Sequence, residues 1–111
     1  MLNIQERQNE NVTILNLEGD VILGGGSAKL RETLAQLIKD NKSNVLLNFH
    51  KVRYIDSSGI GEIISTQESF NQINGSLKIC NLTPKVEEVL ALSSILPILD
   101  IYDTETEALN S

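Results

Sequence analysis

The segment Val52-Arg53-Tyr54-Ile55-Asp56-Ser57-Ser58-Gly59-Ile60-Gly61 sets two hydroxyls between a carboxylate and a pair of glycines. An apolar run, Val45 to Phe49, lies shortly upstream, and a helical pattern follows with Ile60, Ile63 and Ile64 on one stripe. The order predicts a strand, a tight turn and a helix that begins near Ser58 and continues to about Asn71. A turn that opens a helix leaves backbone N–H groups without partners. Together with the positive end of the helix dipole, it favours a negative group by about 0.3–1 kcal/mol. A phosphate is the kind of group that such a turn accommodates.

Strand and helix patterns alternate through the rest of the chain. Val12, Ile14 and Leu17 lie in a β-rich stretch from Asn11 to Glu18, closed by Gly19-Asp20, and a shorter strand around Ile4 precedes it. These two are expected to pair as a hairpin or near-hairpin. After Gly24-Gly25-Gly26, Ser27 is the expected cap of a helix to about Asp40, with Leu30, Leu34, Leu37 and Ile38 facing inward. Val45, Leu46, Leu47 and Phe49 make a nearly continuous apolar run, as a central strand covered on both faces would. Asn74-Gly75 turns the chain into a strand at Leu77 to Cys80. Thr83 is the expected cap of a helix with Pro84 in its first turn and Val86, Val89 and Leu90 inside. Pro97 precedes a short last strand, Leu99 to Tyr102, and Thr104 with Glu107 forms a capping box for a terminal helix that stays ordered to Asn110.

The fold class that follows is α/β. We expect one domain over residues 1–111, with a mixed, mostly parallel sheet of four to five strands and about four helices. A chain of 111 residues buries about 60–70% of the surface that its unfolded form exposes, which is enough for one core.

Composition removes several function classes. The net charge is -6 and no basic cluster interrupts it, so nucleic acid is not an expected partner. The longest apolar runs are only a few residues and Met1 to Glu6 lacks the features of a secretory signal, so no membrane association and a cytoplasmic location are expected. Cys80 is the only cysteine, which rules out an internal disulfide and a multi-thiolate metal site; a packing role at a strand end is expected. His50 is the only histidine, and no pattern makes it the base for a serine nucleophile. Gly24-Gly25-Gly26-Ser27 lacks the Lys-Ser or Lys-Thr of a phosphate loop and the spaced glycines of dinucleotide folds, so it reads as a strand-to-helix turn needing positive backbone angles. Glu87, Glu88, Glu105 and Glu107 read as early-turn helix residues and solvated faces. No enzyme activity, cofactor or metal is expected.

Taken with its flanking strand and helix, Asp56-Ser57-Ser58-Gly59-Ile60-Gly61 resembles the signature of STAS domains, in particular the anti-anti-sigma factors (anti-sigma factor antagonists) of bacterial partner-switching pathways. The resemblance extends to the Leu17-Glu18-Gly19-Asp20 strand end, the helix ending near Asp40, the Asn74-Gly75 turn and the Pro84 helix. It implies a switch in which the unmodified protein binds an anti-sigma factor that is also a serine kinase, freeing a sigma factor. Phosphorylation ends the binding, and a serine phosphatase of the manganese- or magnesium-dependent (PP2C-like) kind resets it. Position by position, the phosphorylated serine falls on Ser57, with Ser58 at or near the helix cap. Asp56, Ser58, Gly59 and Ile60 form the turn around it, and Leu23, Gly24 and Gly25 are expected to add to the partner surface.

One departure stands out. Many members carry an acidic residue shortly after the Gly-Asp or Gly-Glu pair, where this chain has Val21-Ile22-Leu23. The alternative that this leaves is a STAS-type scaffold or sensor module that binds another regulator without being phosphorylated.

Overall fold

The computed structural model describes all residues, 1–111. Strands β1 (Leu2–Asn9) and β2 (Val12–Val21) are followed by helix α1 (Gly26–Lys39), β3 (Asn44–Ile55), α2 (Ser57–Gln72), β4 (Ser76–Cys80) and α3 (Pro84–Leu92). A 3-10 turn at Leu96–Ile98, β5 (Ile101–Tyr102) and α4 (Glu105–Leu109) complete the chain. The sheet runs β1-β2-β3-β4-β5 in space. The β1–β2 pair is antiparallel and the other pairs are parallel. The expected mixed sheet, its leading hairpin and β3 as the central strand are all present.

Side chains of successive strand residues point to opposite faces. Leu15, Leu47, Phe49 and Ile79 meet Leu30, Leu34 and Leu37 of α1, Ile60, Ile63 and Phe70 of α2, and Val86 and Leu90 of α3 in one cluster of 20 buried residues. Their neighbours Ile14 and Leu46 point the other way and meet Cys80 and Ala108 in a second cluster beneath α4. Each fully buried Leu, Ile or Phe contributes about 1.5–3 kcal/mol, so the helix-covered face dominates the stability. Burial pushes the Cys80 thiol up to about 11, with Glu105 adding to the rise and Arg7 opposing it, which keeps the thiol protonated and unreactive at neutral pH.

Several boundaries differ from the sequence expectation. The apolar run Val45 to Phe49 is only the first part of β3, which continues to Ile55. Its later buried residues are Phe49, Val52 and Ile55, a spacing that no regular strand gives. The register explains it. Asn16 pairs with Asn48 and Glu18 with Lys51, then Gly19 with Val52 and Asp20 with Tyr54, so β3 carries an extra residue at two places. Each bulge resets which face a residue presents and keeps all three apolar side chains on the core.

Ser27 is not the cap of α1. The cap position is Gly25, and Gly26 and Ser27 are buried in the first turn with the Ser27 N–H donating to the Ile22 carbonyl. The helix starts early because the backbone at Gly26 packs directly on β2: an added Cβ would stand 1.9 Å from the Asp20 carbonyl oxygen. Among the three glycines, only Gly24 has a positive φ, at 97°. Thr83 precedes α3 but gives it no side-chain cap; its hydroxyl donates instead to the Val52 carbonyl, tying the helix start to β3. Thr104 does cap α4, accepting from the Glu107 N–H. Glu105, read as a solvated carboxylate, accepts from Arg7 at 2.6 Å and from Asn48 at 3.2 Å across the second sheet face. Leu99 is a core residue just before β5 and not part of it.

The glycines test these contacts. Gly26→Ala should destabilise the protein by about 1–3 kcal/mol through the clash with Asp20. Gly61, inside α2 with open space where a Cβ would go, should behave oppositely. Gly61→Ala is expected to stabilise by about 0.5–1 kcal/mol, raising the thermal midpoint by a few degrees. Urea and thermal unfolding of both variants check the signs.

Candidate functional site

Strand β3 delivers Ile55 to the core and Asp56 to the turn that opens α2. Asp56 has extended backbone angles, φ -115° and ψ -175°, and its carboxylate folds over the helix end. One oxygen, Oδ1, accepts from the Ser58 N–H at 3.0 Å, the Gly59 N–H at 3.1 Å and the Ser58 hydroxyl. The other, Oδ2, accepts from the Leu23 N–H at 3.0 Å, across the loop between β2 and α1. Asp56 is therefore the helix cap, and Ser57 and Ser58 are the first two residues of the helix. The resemblance implies Ser58 at or near the cap, and the structure gives that place to Asp56. A carboxylate wins it because two oxygens can take several donors at once.

This arrangement changes what the turn offers an anion. The Ser58 and Gly59 N–H groups, the donors that a phosphate could have used, already hold Asp56. The bond from the Ser58 hydroxyl, then that from Leu23 N–H, hold the Asp56 carboxyl below the usual carboxylate range, with burial opposing and the Gly59 and Ser58 amides adding to the fall.

The two serines stand in different surroundings. Ser57 is exposed and its hydroxyl has no hydrogen-bond partner in the protein, whereas Ser58 is half-buried and bound to Asp56. Gly59 and Ile60 are buried and support the turn from within. At Gly59 an added Cβ would lie 2.4 Å from the Val21 carbonyl oxygen, and that same oxygen accepts from the Asp56 N–H. The end of β2 and the start of α2 are thus wedged together.

Leu23, Gly24 and Gly25 are exposed in the loop that Asp56 holds, and Leu23 leaves 78% of its surface free. The sequence reading missed Tyr54, which is 49% exposed two residues before Asp56. The Lys85 ammonium lies 4.6 Å from its ring centroid. An aromatic at a position facing away from the core was the available signal, hidden by the irregular period of β3. His50 is an exposed strand residue whose N–H donates to the Asn48 side chain. No three His, Cys, Asp or Glu side chains are grouped as for a metal ion, and no helix is long and apolar enough to cross a membrane.

Removing the cap carboxylate has a defined pH signature. Because its folded pKa is depressed, Asp56 contributes stability that is present above the ordinary carboxylate range, near pH 4, and is lost as the pH falls through its folded value. Asp56→Ala should therefore cost about 0.5–2 kcal/mol at pH 7, and the gap to the parent protein should narrow in acid. Urea unfolding at pH 7 and pH 3 measures both.

Known proteins resemble this chain in sequence and in fold. The anti-sigma F factor antagonist of Paenibacillus polymyxa is 28% identical over 109 residues, 97% of this chain and 92% of that protein. An anti-sigma factor antagonist from Mycobacterium paratuberculosis superposes with a TM-score of 0.87 at 14% identity, over 99% of this chain and 92% of that one. The anti-sigma factor antagonist SpoIIAA in its unphosphorylated form gives a TM-score of 0.74 at 18% identity, over 97% of this chain and 96% of that one. The Bacillus cell fate determinant SpoIIAA in the phosphorylated form gives 0.72 at 20% identity, over 97% of each. Residues 3–108 match the family model described as the STAS domain, nearly the whole chain, and the protein belongs to the STAS domain family.

Proposed function

We propose that this protein is an anti-sigma factor antagonist, a binding switch without catalytic activity of its own. Unmodified, it binds an anti-sigma factor that is also a serine kinase and so frees a sigma factor. Phosphate on Ser57 ends the binding, and a PP2C-like serine phosphatase restores it. The observation that carries this reading is the state of Ser57: an exposed hydroxyl with no internal hydrogen bond, at the first residue of a helix whose start is fixed by Asp56. The relatives named as antagonists support it, as does a solved relative of the same fold that exists in unphosphorylated and phosphorylated forms.

The physics of the switch is local. A phosphoryl group adds about -1.5 to -2 charge and three acceptor oxygens where a neutral hydroxyl stood. With the Ser58 and Gly59 amides held by Asp56, a phosphate on Ser57 lies beside an existing carboxylate and presents concentrated negative charge to the partner. The domain does not need to refold. A partner that fitted the unmodified surface is expelled by repulsion and by the cost of desolvating the phosphate, at about tenfold in affinity per 1.4 kcal/mol.

Leu23 and the exposed loop glycines belong to the same docking surface in this reading. An exposed leucine beside the turn supplies apolar contact area, and the side chain takes no part in the core.

Ser57→Ala is expected to bind the anti-sigma kinase whether or not ATP is present, and Ser57→Asp to bind it at least about tenfold more weakly. Calorimetry with the kinase recovered from a native-cell pull-down measures both, and equal affinity of the phosphorylated and unmodified proteins would sink the switch. Leu23→Glu should lower affinity while leaving the melting temperature within about a degree of the parent's, as expected for an exposed position. A drop of many degrees would return Leu23 to the core.

A further inference from the structure

We propose that Asp56 is the specificity-determining residue of the phosphorylation turn: by accepting the Ser58 hydroxyl it confines phosphoryl transfer to Ser57. This rests on the switch described above and adds the reason why one of two adjacent, chemically identical hydroxyls is used. Sequence alone offers no such reason, since Ser57 and Ser58 differ by a single position.

The geometry separates them in three ways. Ser58 Oγ donates to Asp56 Oδ1, a hydrogen bond to a charged acceptor, while Ser57 Oγ has no partner. Ser58 is half-buried and Ser57 exposed. The carboxylate that holds Ser58 is itself fixed by three backbone amides, those of Ser58, Gly59 and Leu23, so it cannot swing aside without uncapping α2 and releasing the β2–α1 loop.

Transfer forms a bond between a serine oxygen and the γ-phosphorus of ATP and breaks the bond between that phosphorus and the bridging oxygen. ADP leaves with the electron pair, and the hydroxyl proton passes to the kinase's base or to water. Rate depends chiefly on in-line placement of the hydroxyl and on stabilising negative charge at the transferring group. Ser57 can turn its oxygen outward at no cost. To react, Ser58 must break its bond to Asp56 and receive an anionic phosphoryl group beside that carboxylate, whose charge opposes the approach. Asp56 is a poor base for Ser58, because the donors around it stabilise its ionised form. It acts as a lock on that serine and not as its activator.

The test compares sites of labelling in the full chain. The parent, Ser57→Ala, and Ser57→Ala combined with either Asp56→Ala or Asp56→Gly are incubated with the recovered kinase and ATP, and phosphate is mapped by mass spectrometry. Circular dichroism reports the fold of each, and Asp56→Gly removes the acceptor while keeping a residue type that helix starts favour, should Asp56→Ala fail to fold. We expect label on Ser57 alone in the parent, almost none in Ser57→Ala, and recovery of label on Ser58 by about tenfold or more once the carboxylate is removed, the scale of losing a hydrogen bond to a charged group. Parent protein left without label overturns the switch itself. Parent labelled at Ser57, with either Ser58 already labelled in Ser57→Ala or no rise in the folded double variants, overturns the lock alone.

Discussion

The Asp56 carboxylate joins two parts of the chain that lie 33 residues apart, the loop after β2 and the first turn of α2. Its two oxygens take four donors: three amides and one hydroxyl. A serine or threonine cap would satisfy one or two of these and leave the loop unheld. The exposed position of Ser57, the withdrawn position of Ser58 and the outward display of Leu23 all follow from how this one side chain is engaged. Below it, Gly59 allows the start of α2 to press on the Val21 carbonyl, so the turn rests on the end of the sheet.

Much of this was legible in the sequence. The order of strands and helices, their inner faces and the turn between β3 and α2 all follow from apolar spacing and from a few polar and glycine residues. The chemistry that hydropathy does not encode was harder to read. Asp, Ser and Thr are all good caps, and only the path of the backbone decides which one is placed to act: Asp56 displaced Ser58, Gly25 displaced Ser27, and Thr83 spent its hydroxyl on Val52. Glu105 was likewise assigned to solvent because nothing local connects it to Arg7, 98 residues away.

The sheet divides its faces unequally. One carries the main core under α1, α2 and α3; on the other, Ile14, Leu46 and Cys80 pack against Ala108 of α4. Beyond α4 it opens onto polar side chains, with Arg7 bonded to Asn16 and Glu105, and Asn48 to Glu105 and Asn81. The continuous apolar run at Val45 to Phe49 reports coverage on both sides. The mixed pattern after it reports coverage on only one, which is why apolar spacing marks only the first part of β3.

The two extra residues in β3 make the stretch from Phe49 to Ile55 length-locked. The side chains of Arg53 and Tyr54 are exposed and lie outside the core, Arg53 paired with Asp20 and Tyr54 with Lys85. Deleting or inserting one residue there would reverse the face presented by everything downstream. Ile55 would leave the interior and the carboxylate of the next residue would swing away from the amides it caps. Exchange of a residue in this segment is therefore tolerable where insertion or deletion is not, and the length of β3 is what keeps the carboxylate over the helix start.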